Sequence, residues 1–112
     1  MSEMPTPPYY AVIFPNQRTD HGDEDYAAMA ARMVALAKQQ PGYLGIHSTR
    51  GPDGFGITVS YWQDENSILG WKNEVEHYMA QAMGITEWYS YYEVLVAKVE
   101  RSYNGPAGRE LG

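Results

Sequence analysis

One stretch of this chain alternates too long and too regularly for an ordinary strand: Trp88 to Tyr103. Trp88, Tyr92, Val94 and Val96 fall on one face, and Tyr89, Tyr91, Leu95, Ala97, Val99 and Tyr103 on the other. A strand of a globular domain holds about 5 to 6 residues. A run of this length with two apolar faces is expected to be buried on both sides, to pass beyond its own sheet and to cross a second subunit. The chain therefore reads as half of a homodimer.

The other elements follow from local pattern. Tyr9 to Phe14 is an aromatic and β-branched strand, expected to bulge or end near Pro15, which lacks a ladder donor, with Asn16 just past it. Tyr26, Met29, Ala30, Met33, Leu36 and Ala37 recur at helical spacing and predict a helix from about Asp25 to Gln39. Asp23, Glu24 and Asp25 suit its start, Lys38 its end, and Pro41-Gly42 stops it. These acids read as helix capping rather than as a metal cluster.

Tyr43 to Arg50 and Phe55 to Trp62 flank Gly51-Pro52-Asp53-Gly54 and predict a hairpin. In its second strand Phe55, Ile57, Val59 and Tyr61 share one face, and Gly56, Thr58, Ser60 and Trp62 the other. A second helical region runs to about Met83, capped by Asp64 or Ser67, with Ile68, Trp71, Val75, Tyr78, Met79 and Ala82 as its buried stripe. Gly70 costs about 1 kcal/mol relative to Ala inside a helix, so a break is expected there.

Strand, helix, strand, strand, helix, strand is the ferredoxin-like βαββαβ order of an α+β domain, with an antiparallel four-stranded sheet. Two helices cover one face of such a sheet. At roughly 25 cal/mol per Å² the apolar second face favours a partner sheet, making a dimeric α+β barrel. Residues 1–8 and 104–112 read as loose tails around one domain at 9–103, all that 112 residues can hold.

Composition removes whole classes of function. A net charge of −6 repels phosphate backbones and anionic lipid, so neither nucleic acid nor membrane partners are expected. The absence of cysteine removes disulfides, thiolate metal sites and Cys nucleophiles. Met1 to Pro8 has no basic region followed by an apolar core, and a cytoplasmic protein is the expectation. Ten Tyr and three Trp against two Phe suit either a ligand cavity or half-buried strands.

The element order, Gly-Ile-Thr-Val-Ser-Tyr-Trp at 56–62, Ile68-Leu69-Gly70-Trp71-Lys72 and Tyr91-Tyr92-Glu93-Val94 together resemble the antibiotic biosynthesis monooxygenase family over about residues 9–103. The resemblance implies a homodimer with one cavity per subunit between sheet and helices. It implies a monooxygenase that oxidises a small aromatic or quinonoid substrate with dioxygen and no organic cofactor. Haem binding with ring opening is the alternative, and a non-catalytic ligand-binding dimer a third reading.

By the same resemblance Asn16, near the end of the first strand, donates to substrate or steers dioxygen; otherwise it is a turn residue after Pro15. Trp71 matches the helix tryptophan that lines the cavity, and core packing alone would also explain it. His77 is a candidate proton relay or iron ligand. It lies about 120° around a continuous helix from Trp71, so a bend is required to unite them. The haem-degrading branch places its ligand histidine where Gln81 stands, and Glu74, Asn73 and Gln81 around His77 equally suit a solvated face. Tyr61, Trp62 and Tyr78 are candidate substrate contacts. His21, His47 and His77 show no recognised ligand spacing, and no metal site is expected.

Overall fold

The computed structural model describes residues 4–81 and 88–106, with the side chains of 77–81 excluded. The elements are β1 (Tyr9–Arg18), α1 (Asp23–Gln39), β2 (Tyr43–Arg50), β3 (Phe55–Trp62), α2 (Glu65–Gln81), β4 (Tyr89–Tyr92) and β5 (Leu95–Val99). All pairings are antiparallel, and the sheet order is β2-β3-β1-β4, with β5 also on β1. This is the ferredoxin-like α+β arrangement. Among the described residues no helix is long and apolar enough to cross a membrane.

β1 does not end at Pro15. It continues through Asn16 to Arg18, paired with β3 as Pro15↔Ile57, Asn16↔Gly56 and Gln17↔Phe55. The N–H and C=O of a strand residue point to the same neighbour. Those of Pro15 point away from β3: Glu93 N donates to the Pro15 carbonyl at 3.0 Å, and the reciprocal bond has no donor. The interruption therefore falls in the C-terminal segment, which splits into β4 and β5 on either side of Glu93-Val94. Their register is nonetheless continuous, Leu95 lying opposite Ile13 and Tyr92 opposite Asn16.

The expected single strand from Trp88 to Tyr103 is thus one interrupted edge ribbon that ends at Val99. Val99 pairs with Tyr9, and the residues before Tyr9 are Pro7 and Pro8, which cannot extend the ladder. The ribbon lies along β1 of its own chain. The expectation that both its faces are buried is corrected for the single chain: Tyr91, Tyr92, Val94, Leu95 and Val96 are all exposed.

α1 begins two residues earlier than expected, at Asp23, with Gly22 before it in the left-handed region (φ 66°). Its acidic first turn offsets the positive helix end, and Met29, Leu36 and Ala37 are buried as the stripe requires. Gly42 (φ 85°) closes the turn into β2, and a Cβ there would stand 2.0 Å from Ser67 Oγ. α2 is capped by Asp64, whose Oδ1 accepts from both Ser67 N and Ser67 Oγ at 2.8 Å. These bonds hold the Asp64 carboxyl below its ordinary value. No break occurs at Gly70: α2 is unbroken from Glu65 to Gln81, because its first half is pinned at Ile68 and Trp71 against the sheet. Ala82 and Met83 lie outside the described residues.

The core is Val12, Ala37, Trp62 and Ile68, with Tyr10, Tyr43 and Trp71 packed against it. α1 packs on α2 and β2, and α2 on β3. On that same face the ribbon is uncovered, with Tyr92 48%, Val96 51% and Val94 57% exposed. On the opposite face Ile57, Leu95 and Phe55 also meet solvent in the single chain.

Trp62 has no exposed surface, and its loss leaves a cavity that neighbours on both helices cannot fill. Trp62→Ala is expected to destabilise the fold by about 3–5 kcal/mol, read by urea denaturation. A cost under 1 kcal/mol would show that the core lies elsewhere.

Candidate active site

Asn16 is the polar residue that the fold hides most completely, at 0% exposure. Register puts it on the helix-facing side, between Gly56 of β3 and Tyr92 of β4. Its Nδ2 donates to the Phe14 carbonyl at 3.0 Å, and its Oδ1 accepts from Arg50 Nη2 at 2.7 Å. The same guanidinium donates to the Tyr26 hydroxyl at 2.8 Å and to the Gly54 carbonyl at 2.6 Å. Among the described residues Arg50 makes no ion pair with a carboxylate.

A second arginine closes this end. Arg18 donates to the carbonyls of Trp88 and His21, pairs with Asp23 at 2.7 Å, and lays its guanidinium 3.9 Å from the Tyr26 ring centre. Its side chain is only 7% exposed. Trp88 is thereby held against the start of α1, where Gly22 leaves room for its indole.

Around Asn16 the rings form a continuous cluster. Tyr89 meets Phe14 and Tyr26 edge-on at 5.6 Å, and Tyr92 lies 5.8 Å from both Phe14 and Tyr89. Burial pushes the Tyr89 phenol far above its ordinary value, a hydrogen bond with Tyr26 adds to the rise, and Arg50 and Arg18 oppose it. Tyr89 stays protonated at neutral pH and is no general base there.

Trp71 stacks on Trp62 at 5.1 Å with 26° between the planes, and Trp62 Nε1 donates to Ser60 Oγ at 2.8 Å. The Trp71 Nε1–H is buried and has no partner among the described residues. This pair stands at the other end of the sheet. Six residues separate Trp62 from Gly56, about 20 Å along the strand.

Between the two ends the helices leave the ribbon uncovered: Tyr92, Val94 and Val96 are exposed, with Phe14 against Tyr92, and this open strip is the trough. At the Trp71 end it opens into a groove of about 290 Å³ lined by Glu65, Asn66, Ile68, Leu69, Lys72 and Val96. Ile68, Leu69 and Val96 give this groove its apolar surface, and Glu65, Asn66 and Lys72 its polar one.

The candidate residues are therefore not all brought together. Asn16 and Trp71 share the helix-facing side at opposite ends. Trp62 is on that side too, but wholly covered, so it backs Trp71 and offers no face to a ligand. Tyr61 projects from the other face, bonded to His47 Nδ1 at 2.9 Å and edge-on to Tyr9. The side chains of His77 and Tyr78 lie outside the described residues, and the unbroken α2 supplies no bend between positions 71 and 77. His21 is on an exposed loop beside Asp20. No group of three metal-ligating side chains occurs among the described residues.

Arg50, Tyr26, Arg18 and Tyr89 were not legible as site residues from local pattern. The signal for Arg50 was available in the hairpin: its turn fixes Arg50 opposite Gly56. What the pattern lacked was the β1 register that adds Asn16 to that row.

A model of the antibiotic biosynthesis monooxygenase family matches residues 8–83. The chain belongs to that family. It is similar to the protein YqjZ of Bacillus subtilis (strain 168), 48% identical over 101 residues that span 90% of this chain and 88% of that protein. Among solved structures it resembles SnoaB, a cofactor-independent oxygenase from Streptomyces nogalater, with a TM-score of 0.66 and 15% identity over 86% of this chain and 97% of SnoaB. It also resembles a MhuD variant carrying two manganese protoporphyrin IX molecules per active site, with a TM-score of 0.63 and 15% identity over 86% and 99% of the two chains. At these identities the two structures establish the shared fold.

Because Tyr89 is neutral in the fold and ionises freely once unfolded, its contribution to stability is full below the ordinary phenol value of 10.0 and is lost as pH rises beyond it. Wild type is expected to lose more stability than Tyr89→Phe between neutral pH and about pH 11. Parallel losses in thermal melts of the two would place the Tyr89 hydroxyl in water.

Proposed function

We propose that the chain is a cytoplasmic homodimeric monooxygenase that oxidises an aromatic or quinonoid small molecule with dioxygen and without an organic cofactor. Family membership supports the reaction class. The observation that carries the reading is the trough: an apolar aromatic floor that ends against the fully buried Asn16, beside a cation that no carboxylate among the described residues neutralises. A flat phenol or anthrone lies along Phe14, Tyr92 and Val96; its ring oxygen accepts from Asn16 once the Tyr89 and Tyr92 rings shift aside, because Asn16 is fully covered in the single chain. The homodimer rests on the exposed apolar face carrying Ile57 and Leu95, which a second sheet would cover, with Tyr61 at that boundary.

The substrate supplies the electrons. Once deprotonated at an activated ring carbon, it passes one electron to dioxygen, and the resulting superoxide and carbon radical combine to a peroxide anion. A proton completes the hydroperoxide. Loss of water then leaves a ketone where a CH₂ stood, so one dioxygen is consumed for each ketone and water formed. His77 is assigned the proton transfer.

Haem is the alternative group that the family suggests. Among the described residues the trough presents carboxylate, amide, lysine and aromatic groups but no imidazole that would hold its iron, and no step is assigned to haem. Haem ligation would then fall to His77.

Incubation with an anthrone under air is expected to yield the anthraquinone and consume dioxygen in equal amounts, with no product under argon and at least tenfold less with His77→Ala. Product without oxygen would overturn the reading. A Soret shift on haemin titration that His77→Ala abolishes would replace it with the haem reading.

A further inference from the structure

Arg50, Gly56 and Asn16 come from three adjacent strands and stand in one row: Arg50 opposite Gly56, and Gly56 opposite Asn16. To reach Asn16, the Arg50 side chain crosses over β3 at the one residue without a side chain. A Cβ on Gly56 would lie 3.0 Å from both Cζ and Nη1 of Arg50, and 2.7 Å from the Thr49 carbonyl oxygen. The crossing ends in bonds of 2.6, 2.7 and 2.8 Å to Gly54, Asn16 and Tyr26, so every terminal nitrogen of the guanidinium is committed.

The geometry points to Arg50 as a positioning residue that, together with the Phe14 carbonyl, locks the Asn16 amide and occupies its oxygen, so that a ligand meets its nitrogen. A guanidinium carries only donors, so Oδ1 must face it. With Oδ1 so engaged and one N–H given to Phe14 O, the second N–H is the one side-chain donor that Asn16 has left. Without Arg50 only the bond to the Phe14 carbonyl holds the buried amide, and its oxygen is left without a donor. The freed oxygen then competes for a ligand donor, and the preference for an acceptor oxygen weakens. This deepens the oxygenase reading and rests on it for the role of Asn16, while the orientation of the amide is independent of any reaction.

Two readouts separate the two. The first is the side-chain NH₂ pair of Asn16 in ¹H–¹⁵N spectra of the free protein, in wild type, Arg50→Lys and Gly56→Ala, each checked for dispersed backbone resonances. Wild type is expected to show two well-separated protons that exchange slowly with water. Arg50→Lys, whose nitrogen ends one atom short of the Nη2 that serves both Asn16 and Tyr26, is expected to move both resonances and speed exchange at least tenfold. Gly56→Ala blocks the crossing with both end residues intact and is expected to do the same; should it not fold, Arg50→Lys decides. An unchanged NH₂ pair in folded Arg50→Lys would overturn the assignment.

The second is a double-mutant cycle for binding of alizarin, a flat hydroxyanthraquinone. Arg50→Lys is expected to weaken binding about tenfold in wild type and not at all in an Asn16→Ala background. Additive losses would mean that Arg50 meets the ligand directly, against a positioning role. If wild type does not bind alizarin, the oxygenase reading falls, and the NH₂ pair still decides the role of Arg50.

Discussion

The register of β1 against β3 is the constraint on which the rest of the molecule depends. It brings Arg50, Gly56, Asn16 and Tyr92 into one line on the side that faces the helices. A slip of one residue would send Asn16 to the opposite face and Pro15 into its place, because strand side chains alternate strictly. Bonds outside the ladder oppose that slip. Gln17 Nε2 donates to the Asp53 carbonyl at 2.8 Å, and Arg18 N donates to the Gly54 carbonyl at 3.0 Å, so the end of β1 is tied to the β2–β3 turn.

The same register explains why a trough exists. Ala37, Ile68 and Trp62 gather the helices over β2, β3 and the Val12 half of β1. The edge ribbon, interrupted opposite Pro15, carries its apolar residues beyond that cover. A proline inside a strand is tolerated here because its missing N–H faces an edge, where the cost is one ladder bond. The chain thus leaves Tyr92, Val94 and Val96 open beside a buried amide.

Most elements were legible in the sequence because each rests on local rules. The α1 stripe, the Gly51–Gly54 hairpin and the Asp64 cap need only periodicity and turn chemistry. The departures share a cause. Pro15 was read as a stop, although its effect depends on which neighbour its missing donor faces, and that is a property of the sheet. Gly70 was read as a break, although packing of Ile68 and Trp71 outweighs a propensity of about 1 kcal/mol. Trp71 was legible as a core-packing residue; Arg50 was not legible, since an arginine at a hairpin end normally reads as solvated charge. Its significance appears only once three strands are aligned.

The most direct measurement of the account is the position of a bound aromatic ligand. A crystal structure of the protein soaked with alizarin is predicted to show the ring system lying on Phe14, Tyr92 and Val96, with a ligand oxygen within about 3 Å of Asn16 Nδ2. Density for the ligand on the opposite face, against Tyr61, Ile57 and Leu95, with the trough left in water, would contradict it.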